Sequence, residues 1–313
     1  MAYPIEKKLV VGISSNALFD LRKEDELFKN KGLDAYRKYQ IDNKMVSLSK
    51  GVAFPFIKRF LQINDVYKEE QPVEVVLLSR NSPESGVRIF NSIKEYNLNI
   101  TRAAFMSGES AINYIPAFNI SLFLATKKDD VKNAIYLNLP AGRILQTEIQ
   151  DNEDDFGLRV AFDFDGVIAN DDAEKIYKEK GLKEYHEYEA LHSLDELGAG
   201  PLADFFKKLA FFQKLETKKR SNDTSYKKIL KTSIITARSA PAHERAINTL
   251  RKWGVEVDEM FLLGGIDKYR ILEIMKPHLY FDDQMVHLNT AVMKNIPLVH
   301  IPFGVANENN NRT

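Results

Sequence analysis

Asp163 and Asp165 stand two residues apart at the end of the apolar run Val160-Ala161-Phe162, and a turn containing Gly166 follows them. If the run is a strand, alternation puts both carboxylates on one face at its end, where they could converge on a divalent cation and a phosphoryl group. Two anions so close need a cation. By itself an Asp-x-Asp pair more often just marks the polar turn after a buried strand, so its weight depends on what else the chain supplies.

Three later segments supply it. Ser233-Ile234-Ile235 reads as a strand and leads into Thr236-Ala237-Arg238-Ser239 and a helix-like stretch, residues 242–253. A hydroxyl at a strand end, followed by the free N–H groups of a helix start, suits a phosphate, although taken alone Thr236 or Ser239 is better explained as an ordinary helix cap. Gly264-Gly265-Ile266-Asp267 then delivers Lys268, which alone would be a solvated surface lysine. Tyr280-Phe281-Asp282-Asp283-Gln284 ends another apolar run with two adjacent acids, which alone would be turn residues. The order of the four segments is far more specific than any one of them.

The elements that must position these residues are legible as pattern. Apolar, β-branched runs at 9–13, 73–78, 118–125, 158–162, 233–235, 260–263, 279–281 and 298–301 alternate with longer amphipathic stretches, which predicts an α/β fold with mostly parallel strands. In such sheets ligands bind beyond the carboxyl ends of the strands, where Asp163, Asp165, Thr236 and Asp282 all fall. The aperiodic polar segment 146–155 separates two halves, 1–150 and 151–313. A second polar stretch, 216–228, reads as an exposed loop, and 307–313 as a disordered tail.

The halves share a pattern. At an offset of 157, residues 75–127 slide onto the second half without a gap, pairing Leu78-Ser79 with Ile235-Thr236, Arg88 with Arg245, Asn91 with Asn248 and Gly108 with Gly265. An offset of 149 pairs Val11 with Val160 and Ser14 with Asp163. Opposite Asp163, Asp165, Lys268, Asp282 and Asp283 stand Ser14, Asn16, Ala111, Ala125 and Thr126, so a duplicated first half would be degenerate and catalytically silent. Any two strand-turn-helix units align passably, which is the competing explanation.

Composition narrows the function classes. The 313 residues are 44% hydrophobic, enough for a sizeable core. Forty-four basic residues balance forty-four acidic ones, so there is no general attraction to nucleic acid or an anionic membrane, and no stable nucleic-acid partner is expected. The absence of cysteine removes disulfides, thiolate metal sites and cysteine nucleophiles. Residues 1–8 carry no apolar signal core and no apolar run reaches the roughly 18 residues of a membrane span, so a cytoplasmic protein without a membrane partner is expected. A homo-oligomer is compatible with all of this.

Taken together, Asp163-x-Asp165, strand-end Thr236, Lys268 and strand-end Asp282-Asp283 resemble the four motifs of the haloacid dehalogenase superfamily of phosphotransferases. The resemblance narrows further. Segments 11–19, 53–56, 86–93, 236–240, 281–285 and 302–306 are similar to the cytosolic 5′-nucleotidase type I family and run over nearly the whole chain, while the first motif, Asp163-Phe164-Asp165-Gly166-Val167, is closer to the general superfamily form.

The resemblance implies a Rossmann-like catalytic domain with a small helical cap, here an insertion at about 171–230, and Mg²⁺-dependent hydrolysis of nucleoside 5′-monophosphates, typically AMP. It makes Asp163 the nucleophile and Asp165 the general acid and base. Thr236 and Lys268 would hold phosphoryl oxygens, with Ala237 and Arg238 beside them on the substrate, and Asp163, Asp165, Asp282 and Asp283 would form the metal site. As an acid, Asp165 would have to be neutral, which requires an environment that favours the proton. Tyr185, His186, Tyr188 and His192 of the insertion could stack on a base, though packing is the commoner role, and Phe205, Phe206, Phe211 and Phe212 read as one buried helix face. Two alternatives stand beside the nucleotidase: a phosphatase for sugar phosphates or other phosphomonoesters, and a slow nucleotide-binding regulatory protein.

Overall fold

The computed structural model describes residues 3–292 and 295–307. Residues 308–313 of the expected tail therefore lie outside the described residues. The chain divides into two compact units, Met1–Leu139 and Pro140–Thr313, and the segment after strand Ala141–Ile144 runs to Gly157 without helix or strand.

The first unit comprises β1 (Leu9–Ile13), α1 (Ser15–Leu18), β2 (Phe19–Asp20), α2 (Arg22–Asp42), β3 (Ser49–Lys50), α3 (Phe54–Val66), β4 (Val73–Ser79), α4 (Pro83–Glu95), β5 (Arg102–Phe105), β6 (Ile120–Ala125) and α5 (Lys128–Tyr136). Its main sheet has the order β6-β1-β4-β5, every neighbour parallel. Strands β1, β4 and β6 are buried along their whole length, which is why they read as continuous apolar runs rather than alternating ones. Strand β5, Arg-Ala-Ala-Phe, lacks that signal and escapes a search for apolar runs.

The second unit comprises β7 (Ala141–Ile144), β8 (Leu158–Phe162), α6 (Asp172–Lys180), α7 (Leu182–Leu191), α8 (Ala203–Asn222), β9 (Leu230–Thr236), α9 (His243–Lys252), β10 (Glu259–Leu262), α10 (Tyr269–Met275), β11 (Leu279–Asp282), α11 (Met285–Val292) and β12 (Leu298–His300). Its strands run β10-β9-β8-β11-β12-β7, parallel except for β7 against β12. The chain leaves β8 in one direction, through β9 to β10, and returns on the other side at β11. The strand order thus reverses between β8 and β11, the place where a parallel sheet opens a crevice for a ligand.

The two units repeat one strand order, β6-β1-β4-β5 in the first and β11-β8-β9-β10 in the second. The 157-residue offset sets the last residue of β4, Ser79, against the last of β9, Thr236, and Ala125 of β6 against Asp282 of β11.

Alternation gives the second sheet two different faces. Ala161, Tyr280, Ile235, Leu272, Leu288 and Leu298 belong to one core cluster. On the other face Phe162 stacks on Phe281, ring centroids 4.9 Å apart, and meets Phe205 and Phe206 of α8. Helix α8 therefore packs on the sheet itself, and within 171–230 it is α6 and α7 that pack on each other. Two expectations for this helix need correction. Phe211 is exposed, because the buried stripe runs through Phe205, Phe206, Leu209, Phe212 and Gln213 and turns Phe211 outward. The polar stretch from 216 is not wholly a loop: α8 continues to Asn222, and Glu216 is buried, accepting hydrogen bonds from Tyr226 Oη and from the N–H groups of Ile229 and Leu230 at the start of β9.

Candidate active site

The ends of β8 and β11 bring Asp163 and Asp282 together. Asp163 continues β8, its N–H donating to Phe281 O of the neighbouring strand at 2.7 Å, and Asp282 is the last residue of β11. Between them lies the ammonium of Lys268, 2.6 Å from Asp163 Oδ2 and 2.8 Å from Asp282 Oδ2. All three are buried. Lys268 gets there because Gly264 and Gly265 both adopt left-handed backbone, φ +54° and +93°, which turns the chain from β10 back to the start of α10.

The adjacent Asp283 is 1% exposed, and neither of its carboxylate oxygens has a hydrogen-bond partner among the described residues. Its main-chain carbonyl, by contrast, is well held, within 3.0 Å of His300 Nε2 and accepting from Asn307 Nδ2 at 3.0 Å. Gly166 passes directly over it. With φ +75° and a hypothetical Cβ 2.6 Å from Asp283 Cγ, position 166 has room for glycine alone.

Electrostatics at this cluster are strained by burial. Desolvation lifts the Asp163 carboxyl to about 7, with Lys268 pulling it down and Asp282 and Asp165 adding to the rise. Burial would raise Asp282 too, but Lys268 and His287 hold it below the ordinary carboxylate value. Burial opposes the charge on Lys268, and the two aspartates overcome it to keep the ammonium more basic than usual. Asp283 is pushed well above the usual range by burial and then by Asp163, Asp282 and Glu174. Three carboxylates face one ammonium, so full ionisation leaves two negative charges without compensation. An orphaned buried carboxylate and that charge deficit fit one divalent, oxygen-preferring cation.

The other predicted residues are placed differently. Thr236, 1% exposed at the end of β9, accepts from the N–H of Arg238 at 3.1 Å. Ala237 is exposed. Asp165 is turned to Arg238, whose Nε and Nη2 donate to its two carboxylate oxygens at 2.7 Å each. Both of its oxygens are thus occupied by one guanidinium, a partner that the motif reading did not assign to it. Arg238 itself is 1% exposed at its side chain and wholly engaged by protein groups rather than open to a ligand.

Residues 1–308 match the sequence model of the 5′-nucleotidase family. The chain belongs to that family. It is also 34% identical over 289 residues to human cytosolic 5′-nucleotidase 1B, an alignment that covers 90% of this chain and 47% of the human protein. The chain thus spans about half the length of that curated relative.

Within this family member, several residues at the site carry no signal in the motifs. His287, in the first turn of α11, places Nδ1 3.2 Å from Asp282 Oδ2, and the donor atoms of Asp163, Asp282 and His287 lie within 4.8 Å of one another. The carboxylates of Asp165 and Asp283 are not in that group. Tyr280, fully buried two residues before Asp282 on the same face, donates to Asp282 Oδ2 at 2.5 Å. The segment near residue 302 that resembles the type I enzymes anchors the chain ahead of α6, where the N–H of Val305 donates to Asp171 Oδ2 at 2.6 Å. His287 and Tyr280 could have been suspected only from their spacing to Asp282, five residues after and two before.

Proposed function

We propose that the chain is an Mg²⁺-dependent 5′-nucleotidase, cleaving nucleoside 5′-monophosphates, AMP foremost, through an aspartyl phosphate on Asp163. The observation that carries this reading is the buried Asp163–Lys268–Asp282 cluster at the β8/β11 switch, beside Asp283, whose carboxylate has no partner among the described residues. Family membership and the name of the human relative support the nucleotide substrate and a cytoplasmic setting. No helix among the described residues is long and apolar enough to cross a membrane.

Asp163, Asp282 and Asp283, with the main-chain carbonyl of Asp165, would hold the ion. Bound, it would neutralise the carboxylates and the incoming phosphoryl oxygens, so that an anion can approach an anion. Asp163 attacks phosphorus through a carboxylate oxygen, and as that bond forms the bond from phosphorus to the ribose 5′-oxygen breaks. Asp165, having taken a proton from solvent on one oxygen while Arg238 still donates to the other, gives that proton to the departing oxygen. A water then attacks phosphorus, passes its proton to Asp165, and the bond to Asp163 breaks to release phosphate. Lys268 and Thr236 steady the phosphoryl oxygens throughout, Lys268 by charge and Thr236 by its hydroxyl. Helices α6 and α7 act as the cap in this reading, and the first unit, which has Ser14, Asn16, Ala125 and Thr126 at the corresponding positions, is catalytically silent.

The test is phosphate release, with and without Mg²⁺, from nucleoside 5′- and 3′-monophosphates, sugar phosphates and an aryl phosphate. Mg²⁺-dependent preference for 5′-monophosphates is the expected result. Activity confined to sugar phosphates rejects the substrate, and Mg²⁺-independent turnover rejects the metal.

A further inference from the structure

Four charged side chains, largely withdrawn from solvent, form a single line in the second unit. Asp165 is held on both oxygens by Arg238, Arg238 Nη1 donates to Glu189 Oε2 and to Ala242 O, and Glu189 Oε1 is 2.8 Å from Arg245 Nη1. Arg245 Nε donates onward to Asp195 O at 3.0 Å. The Glu189 side chain is completely buried. Two carboxylates alternate with two guanidinium groups, so the line is neutral as a whole and has no spare positive charge for a phosphate. The two acids come from different places: Asp165 belongs to the first catalytic motif, whereas Glu189 sits on α7, in the segment inserted between β8 and β9.

A buried acid between two arginines is costly unless both partners are in place, so α7 can dock here only with Arg238 and Arg245 reaching it. Once docked, it fixes the guanidinium plane of Arg238, and a planar fork bonded to both oxygens fixes the carboxylate plane of Asp165. Phe164, whose ring lies 5.5 Å from the Arg238 guanidinium carbon, bounds the same group on another side. We infer that Glu189 is a positioning residue for the acid–base step, acting through Arg238 to orient Asp165, so that seating of α7 and readiness of Asp165 are one event. This rests on the nucleotidase reading above, in which Asp165 protonates the leaving oxygen.

The consequence is selective. Protonation matters for a ribose 5′-alkoxide, a poor leaving group, and little for an aryl oxide, so a misoriented Asp165 should hurt the first far more than the second. Glu189→Gln keeps the shape of the side chain and removes its charge. First-turnover release of nucleoside from a 5′-monophosphate is expected to fall by about 10- to 100-fold with KM little changed, while first-turnover release of the aryl alcohol stays within about threefold of wild type. In an Asp165→Asn background the same change should add almost nothing, since the residue it acts through is already gone. Arg245→Gln, at the far end of the line, should give the same substrate-selective loss in weaker form, and it supplies the test if Glu189→Gln shows no cooperative unfolding transition.

Equal losses on both substrates, a loss that multiplies fully with Asp165→Asn, or unaltered nucleoside release would overturn the inference. The nucleotidase reading fails separately, through a wild-type chain inactive on nucleoside monophosphates or an Asp163→Asn variant that keeps full turnover. The inference falls with it in those cases.

Discussion

Lys268 Nζ lies within 2.8 Å of a carboxylate oxygen of both Asp163 and Asp282, joining the ends of two neighbouring strands through a third loop. This contact makes the three positions one electrostatic unit, while the carboxylate of the next residue, Asp283, has no hydrogen-bond partner among the described residues.

That imbalance sets an expectation for metal. A ligand present at about 100 times its dissociation constant adds about 2.7 kcal/mol of stability when it binds only the folded state. Saturating Mg²⁺ should therefore raise the unfolding temperature of the wild-type chain by several degrees. The rise should be abolished in Asp282→Asn and reduced in Asp283→Asn, as followed by calorimetry. An unchanged rise in Asp282→Asn would move the metal elsewhere.

Replacing the nucleophile separates chemistry from folding. Asp163→Asn keeps an oxygen near Lys268 and relieves one buried negative charge, so its unfolding temperature without metal should stay close to that of wild type. Turnover should fall by on the order of 10⁴-fold or more, as for other nucleophile deletions. Steady-state phosphate release and a thermal melt on the same preparation check both halves of the statement.

Gly166→Ala combines two penalties. The alanine would adopt a left-handed φ of +75°, and its methyl would meet Asp283 Cγ at 2.6 Å. Backbone strain of this kind costs about 1–3 kcal/mol before the clash is relieved, and relief requires Asp283 or the Asp163–Asp165 turn to move. Urea unfolding should show the destabilisation and assays a loss of activity. An alanine variant as stable and active as wild type would contradict this packing.

A pH dependence is expected in the first unit. Burial acts to raise the Asp130 carboxyl, but the hydrogen bonds from Arg80 and Ser110 outweigh it and hold it below the ordinary value. A depressed folded value means that the unfolded chain takes up the proton first on acidification. The stabilisation is therefore complete above the unfolded carboxylate value, near 3.9, and is lost as pH falls through the folded one. Urea unfolding at pH 7, 5 and 3 should show wild type more stable than Asp130→Asn at the upper two values, with a narrower gap at pH 3. A gap independent of pH would exclude the ionic pair as its source.

Much of this was readable from residue order because it is local. Five of the strand ends that matter, at Ile13, Ser79, Phe162, Thr236 and Asp282, follow apolar runs bounded by polar turns, and a fully buried strand leaves that mark on its own sequence. The same local logic identified Asp163, Lys268 and Asp282 as candidates. It misplaced the stretch after 216, since the burial of Glu216 depends on backbone N–H groups supplied by the start of β9.

The sequence by itself determined the strand-turn units, the motif order and the family, all of them properties of residues near one another in the chain. Tertiary structure alone decided the partners. Glu189 reads as one acid among several on a polar helix, and only folding sets it between Arg238 and Arg245, 49 and 56 residues away. Likewise only folding engages Arg238 with Asp165 rather than leaving it open to a phosphate. The reason is physical: hydrophobic periodicity records which face of an element is buried, whereas the pairing of long charged side chains depends on distances between elements that periodicity does not encode.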